Sequence, residues 1–316
     1  MKKKSVVRIF TAIAIFVAMI YCSTHDKRFV SLQGEQENTD GFASQMLYIK
    51  NLMEDSWGLF QAEPLYWVHG LRMLVALPFE IVYELGGAAL VAILMLVIIW
   101  PLLGFFDDAK RPSLGIVLPL TMIVLSFRAV LVFVGIGYLL LYIIRNRSFC
   151  FLVLGFLFVN LSSGSVLAAL ATGFVLSRRY CRMTRGMVLF LFGLLITLVV
   201  SVMDKYVGFM AQDVGYEATV GEGNGVLALL SRNTVFVSLL EGDYLRFSVY
   251  VAMLLGACYA FAYAAFDKRY SGYAVIFLIT IPVFMLEGLG VVSLIIPIML
   301  FLSGVPISGH GRKNVL

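Results

Sequence analysis

The chain reads as an all-α, polytopic integral membrane protein of about ten transmembrane helices plus an external interfacial helix, and three observations predict it. Of its 316 residues, 61% are hydrophobic and 14% charged, against roughly 45 to 50% apolar and 25% charged in soluble domains. Several apolar runs approach or exceed the ~17 residues that a helix needs to cross a ~30 Å hydrocarbon core. Lys and Arg gather at alternate turns between those runs, as cytoplasmic flanks do. A single transmembrane domain over 1–316 is expected, with both termini cytoplasmic. The net charge of +5 is therefore read by its distribution and not as the mark of an acidic partner; no nucleic-acid partner is expected.

Lys2, Lys3, Lys4 and Arg8 precede an apolar run from Ile9 to Tyr21, a pattern shared by signal peptides and first membrane helices. No small-x-small cleavage site follows, so an uncleaved anchor is expected. Residues 23–64 form a first external segment in which acids (Asp26, Glu35, Glu37, Asp40, Glu54, Asp55, Glu63) outnumber bases (Lys27, Arg28, Lys50). Residues 65–85 are apolar yet carry His69, Arg72, Glu80 and Glu84, which are costly in a lipid-facing span. An interfacial or re-entrant helix on the external face is expected there.

Gly86 to Phe106 is a clean span delivering Asp107, Asp108, Lys110 and Arg111 to the cytoplasm, and 113–127 returns outward to Arg128. Ala129 to Ile144 leads in to Arg145 and Arg147. Phe149 to Leu161 leads out to a short turn at Ser162 to Ser165, and Val166 to Ser177 leads back to a basic cluster of Arg178, Arg179, Arg182 and Arg185. Gly186 to Met203 reaches a second external segment, 204–243, again acid-rich (Asp204, Asp213, Glu217, Glu222, Glu241, Asp243 against Lys205 and Arg232). Tyr244 to Phe266, Tyr273 to Leu286 and Val291 to Val305 complete the set. Counting 65–85 as a further full span would put the Arg178 to Arg185 cluster outside, against the positive-inside rule.

The charged and aromatic side chains concentrate between Asn38 and Leu77. Asp40, Glu63 and His69 are candidates for a general base, because a hydroxyl attacking a sugar anomeric carbon must lose its proton; taken singly, each also fits a solvated loop position. Arg72 lies one helical turn after His69, so the two line one site or share a wet face. Arg128 sits between two apolar runs, where a desolvated guanidinium needs an anion. A phosphate or pyrophosphate matches its bidentate fork, and snorkelling to headgroups or pairing with Glu80 matches it too. In 204–243, Lys205, Tyr206 and Arg232 accompany a GEGNG stretch that permits a mobile loop. Cys22, Cys150, Cys181 and Cys258 are scattered without metal-ligand spacing, and no zinc motif, nucleophile elbow or nucleotide fingerprint is present. No metal or cofactor is expected.

The order of these features resembles the EpsG-like branch of the Wzy-type polysaccharide polymerases. The similarity rests on Asp40 and Tyr48 after a first helix, an EPLY-type element at Glu63-Pro64-Leu65-Tyr66-Trp67, and the junction Ser126-Phe127-Arg128-Ala129 leading into a helix and a basic RNR turn. It extends to the late pair Lys205-Tyr206 and covers about residues 1–245. Two positions depart from the pattern. Where the family shows a His-x-Ser-Ala element this chain has Asn160-Leu161-Ser162-Ser163-Gly164-Ser165, and Arg128 lacks the usual following Gln. The resemblance implies a polymerase that joins polyprenyl-diphosphate-linked oligosaccharide repeat units outside the inner membrane, with membrane lipids, a flippase and chain-length regulator proteins as partners. It implies Asp40, Glu63 or His69 as the base, and Arg128 on the leaving diphosphate. Arg72, Tyr66, Trp67, Lys205, Tyr206 and Arg232 would hold substrate. Two other classes stay open: a transporter or flippase of a lipid-linked or anionic solute, which would place polar groups near the bilayer midplane, and a scaffold docking envelope proteins.

Overall fold

Where no water can bond the backbone, a chain this apolar must satisfy its N–H and C=O groups internally, and a helix does so within one segment. The computed structural model describes residues 3–25, 64–107, 127–145, 148–180, 184–210, 244–267 and 270–286, with single positions between 235 and 242 and between 294 and 301. Among the described residues there are eight long helices and no strand. They are α1 (Lys3–His25), α2 (Pro64–Asp107), α3 (Phe127–Arg145), α4 (Phe149–Val159), α5 (Ser163–Tyr180), α6 (Arg185–Met210), α7 (Tyr244–Phe266) and α8 (Ser271–Leu286). The sequence segments around 1–22, 129–144, 166–177, 186–203, 244–266 and 273–286 thus coincide with helices. Residues 26–63, the 113–126 run and most of 204–243 and 291–305 lie outside the described residues.

Two helical stretches, Gly70–Leu103 and Phe247–Phe266, are long and apolar enough to cross a membrane, and only 28% and 22% of their most apolar windows are buried. A core helix of a soluble protein would show the reverse. Along α6 the exposed residues Val188, Leu189, Phe192, Leu195, Ile196, Val199 and Met203 recur at helical spacing, an apolar outer face suited to lipid. The architecture is all-α and supports membrane association.

Helix α2 is not one rod. Its 44 residues contain a break at Gly86 (φ −160, ψ 20) and Gly87 (φ 64, ψ −159), the second in a region essentially confined to glycine. A straight helix would hold Arg72 and Leu102 about 45 Å apart. Instead, Arg72 bonds the end of α4 at Asn160, and Leu102 closes on Gly137 of α3. The two limbs therefore diverge sharply at Gly86–Gly87, at the boundary where the sequence changes from charge-bearing to clean apolar. The first limb is packed through Val68, Val75, Ala76 and Phe79. The second is tied to α3 by Tyr138, whose hydroxyl donates to the Ile98 carbonyl, and to α1 by Arg8, whose guanidinium lies 5.8 Å from the Trp100 ring centre.

α3 and α4 form the tightest crossing. A Cβ on Gly135 would stand 2.7 Å from Cβ of Phe158 and 2.9 Å from the Val159 nitrogen, while one on Gly155 would stand 3.1 Å from the Gly135 carbonyl oxygen. Small residues admit this backbone approach, as in other membrane helix pairs. Tyr138 then packs edge-on to Phe151, ring centres 5.2 Å apart, and stacks near Phe158 at 6.1 Å. α5 is inserted beside this pair, with Ala168, Ala169 and Leu176 buried.

α7 and α8 form a hairpin whose turn is bonded from the Tyr270 N–H to the Asp267 carbonyl at 2.9 Å. Phe301, from the segment that follows, lies within 5.5 to 5.7 Å of the Tyr263, Tyr270 and Tyr273 rings and 6.3 Å from Phe277. One ring thus ties the C-terminal segment to both limbs of the hairpin. Phe301→Ala removes four ring contacts and leaves a cavity, so about 3 kcal/mol of stability should be lost. Thermal unfolding in nanodiscs checks this, with a Phe301→Leu protein keeping most of the loss at bay.

Candidate functional site

The site is built at the turn between α4 and α5. α4 has 11 residues, about 16 Å of helix, which is half of a ~30 Å hydrocarbon core. The segment Phe149 to Leu161, expected as a span ending in an external turn, is too short to cross alone. Its last turn lies against Gly135, eight residues into α3 counting from Phe127 to Gly135 and so about 12 Å along that helix. The turn that follows is buried: Asn160 is 2%, Leu161 0%, Ser162 3% and Ser165 1% exposed. Non-helical backbone at such a position is tolerated where protein covers it or where it lines a cavity.

Local hydrogen bonds account for much of the turn's backbone. The N–H groups of Asn160, Leu161 and Ser162 donate to the carbonyls of Phe156, Phe158 and Val159, and the Val166 N–H donates to the Ser162 carbonyl at 3.1 Å, opening α5. The Asn160 carbonyl, an orphan at the end of α4, accepts from Arg72 Nε at 3.2 Å across a sequence separation of 88. A guanidinium at a helix C-terminus is favoured by the axial dipole as well as by the bond. The Asn160 side-chain amide nitrogen donates to the Phe156 carbonyl at 2.7 Å. Its Oδ1, and the Oγ of Ser165, are buried and meet no hydrogen-bond partner among the described residues. Buried polar atoms are nearly always bonded, so a pair of orphans five residues apart in one turn calls for a group not supplied by the described chain.

Of the side chains expected at the site, Trp67 and Arg72 are the ones described. Trp67 is 59% exposed on the first limb of α2, and Arg72, half-buried, meets the turn. Tyr66 and His69 lie on that same limb, Arg128 in the first turn of α3, and Lys205 and Tyr206 near the end of α6; their side chains lie outside the described residues, as do Asp40, Glu63 and Arg232 entirely. The structure therefore brings Arg72 to Asn160, the first residue of the stretch Asn160 to Ser165 that was singled out in the sequence. Sequence reasoning missed Asn160 and Ser165 as site residues. The available signal was the shortness of the 149–161 run, with an asparagine at its end and three serines after it.

The chain matches no protein-family model, no curated protein and no solved structure.

Proposed function

We propose that the protein is a membrane glycosyltransferase-type polymerase of the EpsG-like, Wzy-type kind, joining polyprenyl-diphosphate-linked oligosaccharide repeat units on the external face of a bacterial inner membrane. The observation that carries this reading is the bond from Arg72 to Asn160. It joins the charge- and aromatic-bearing limb of α2 to a buried polar turn and makes one polar locus of two separate sequence elements. In the proposed reaction the acceptor hydroxyl forms a bond to the anomeric carbon of the growing chain, and the bond from that carbon to the diphosphate oxygen breaks. Polyprenyl diphosphate leaves with the bonding electrons. The hydroxyl proton passes to Asp40, Glu63 or His69, and Arg128 steadies the charge on the diphosphate. Trp67, beside Tyr66, offers an exposed ring for a sugar face; Lys205 and Tyr206, near the end of α6, and Arg232, further along the chain, hold sugars in this reading. About eight full crossings with cytoplasmic termini complete the proposal, with α4 and α5 as a re-entrant hairpin whose turn lies within the bundle.

Deleting the gene in a glycan-producing host tests it. Loss of long polymer, accumulation of single lipid-linked repeats and restoration by the wild-type gene are expected; unchanged chain length in the deletion strain sinks the reading. A second reading, a transporter or flippase of a lipid-linked solute, is favoured by one observation: the polar turn is buried beside α3 and not at its end, and discontinuous helices of transporters carry substrate at such positions. Purified protein that moves lipid-linked oligosaccharide across liposomes without lengthening it would select that reading.

A further inference from the structure

We infer that the turn joining α4 and α5 is a subsite for a saccharide hydroxyl, with Asn160 Oδ1 and Ser165 Oγ as its two ligands and Arg72 as the residue that holds the turn in place. The inference rests on a lipid-linked saccharide being the substrate, whether it is polymerised or transported.

Chemistry selects the ligand class. The Asn160 amide has its nitrogen on the Phe156 carbonyl at 2.7 Å; the reversed amide would set two carbonyl oxygens against each other. Oδ1 is therefore the atom left over, and it is an acceptor with no donor among the described residues. A phosphate or carboxylate oxygen cannot satisfy it. Ser165 Oγ, equally buried and equally without a partner, can donate one hydrogen bond and accept others. A group that both donates and accepts a hydrogen bond fits the pair, as a sugar hydroxyl does, whereas ionised diphosphate oxygens only accept. The first turn of α5 and Arg72 add positive potential around it, which polarises a bound hydroxyl and tolerates a phosphate elsewhere on the same ligand.

Arg72 is the positioning residue. Its Nε bonds the Asn160 carbonyl, fixing the backbone from which the Asn160 side chain projects. It also belongs to the limb of α2 that ends at the Gly86–Gly87 break. With Asn160 and Ser165 2% and 1% exposed, a sugar reaches them when that limb yields, and the break supplies the place for it to tilt.

The test uses the full chain in lipid nanodiscs free of sugar-based detergent, with two probes: the lipid-linked repeat unit extracted from the deletion host, and polyprenyl diphosphate bearing no sugar. Ser165→Ala and Asn160→Leu should each weaken binding of the saccharide probe about tenfold or more, the effect of leaving a buried group without its partner, and should leave binding of bare polyprenyl diphosphate near that of wild type. The melting temperature of Ser165→Ala should stay near that of wild type, whereas Asn160→Leu also loses the bond to the Phe156 carbonyl and melts somewhat lower. Arg72→Lys, which keeps charge and shortens the reach, should fall between. Saccharide binding by Ser165→Ala and Asn160→Leu equal to wild type overturns the subsite. So does equal loss of both probes, which marks an anion site, or a lowered melting temperature with saccharide binding intact, which marks a resident structural water. Failure of wild type to bind the saccharide probe overturns it as well. If the variants lose saccharide binding while the deletion strain keeps normal chain length, the polymerase reading fails and the subsite stands.

Discussion

Gly135→Ala, a change of one methyl group, should cost about 1 to 3 kcal/mol and lower the yield of folded protein in membranes. The new Cβ would meet Phe158 Cβ at 2.7 Å and the Val159 backbone nitrogen at 2.9 Å. Neither is the free end of a flexible side chain, so α3 and α4 must separate. Opposing this is the higher helix propensity of alanine, about 1 kcal/mol at most, and the clash wins because it falls on backbone. Two companion substitutions separate the terms. The atoms nearest a Cβ in Gly137→Ala are the Leu102 methyl carbons at 2.7 and 2.8 Å and its Cγ at 3.4 Å, side-chain atoms that can rotate away, so a smaller loss is expected. Gly256→Ala in α7 meets nothing within 4 Å and should be neutral or stabilising. The order of melting temperatures in nanodiscs should be Gly256→Ala, wild type, Gly137→Ala, Gly135→Ala from highest to lowest. A Gly135→Ala protein that melts with wild type would show that the crossing is looser than the structure has it. The loss should also reach the Asn160 turn, which begins one residue beyond the crossing.

The helices were legible because an apolar run bounded by charge has few alternatives in lipid. Tyr244 to Phe266 was read with the bounds it has as α7, and the change from charged to clean apolar sequence at Gly86 marks the break in α2. Depth was not legible. An apolar run between Arg147 and Ser162 looks like a crossing, yet α4 stops after 11 residues because Asn160 caps it and α5 starts at once. Nothing in the local pattern says that Ser162 and Ser165 are buried instead of meeting water. The Arg72 to Asn160 bond lies further from reach, since it joins positions 88 apart and depends on how sharply two glycines turn a helix. Hydropathy finds segments; which segments share a depth is decided by crossings such as that of Gly135 with Phe158, where the sequence shows only a glycine in an apolar run. The same limit explains the site: Arg72 was picked out by its charge in an apolar limb, whereas Asn160 and Ser165 looked like ordinary turn residues.

Arg128→Ala should have the largest effect on function, a drop of about 100- to 1,000-fold in polymer formation, as expected when a main stabiliser of leaving-group charge is removed. The residue lies in the first turn of α3, where the helix N-terminus adds its own positive potential. A diphosphate placed there gains from both. The competing account makes Arg128 a topological anchor that snorkels to headgroups, and the lysine substitution divides the two. An ammonium anchors a helix as well as a guanidinium does, so full activity in Arg128→Lys supports the anchor. A bidentate fork on diphosphate is lost in Arg128→Lys, so the proposed role predicts activity well below wild type with normal insertion. Chain-length distributions from the complemented deletion strain, read at matched membrane levels, supply the measurement. Wild-type chain lengths from stably inserted Arg128→Ala protein would remove Arg128 from the reaction and leave the positive charge at the site to Arg72 and the start of α5.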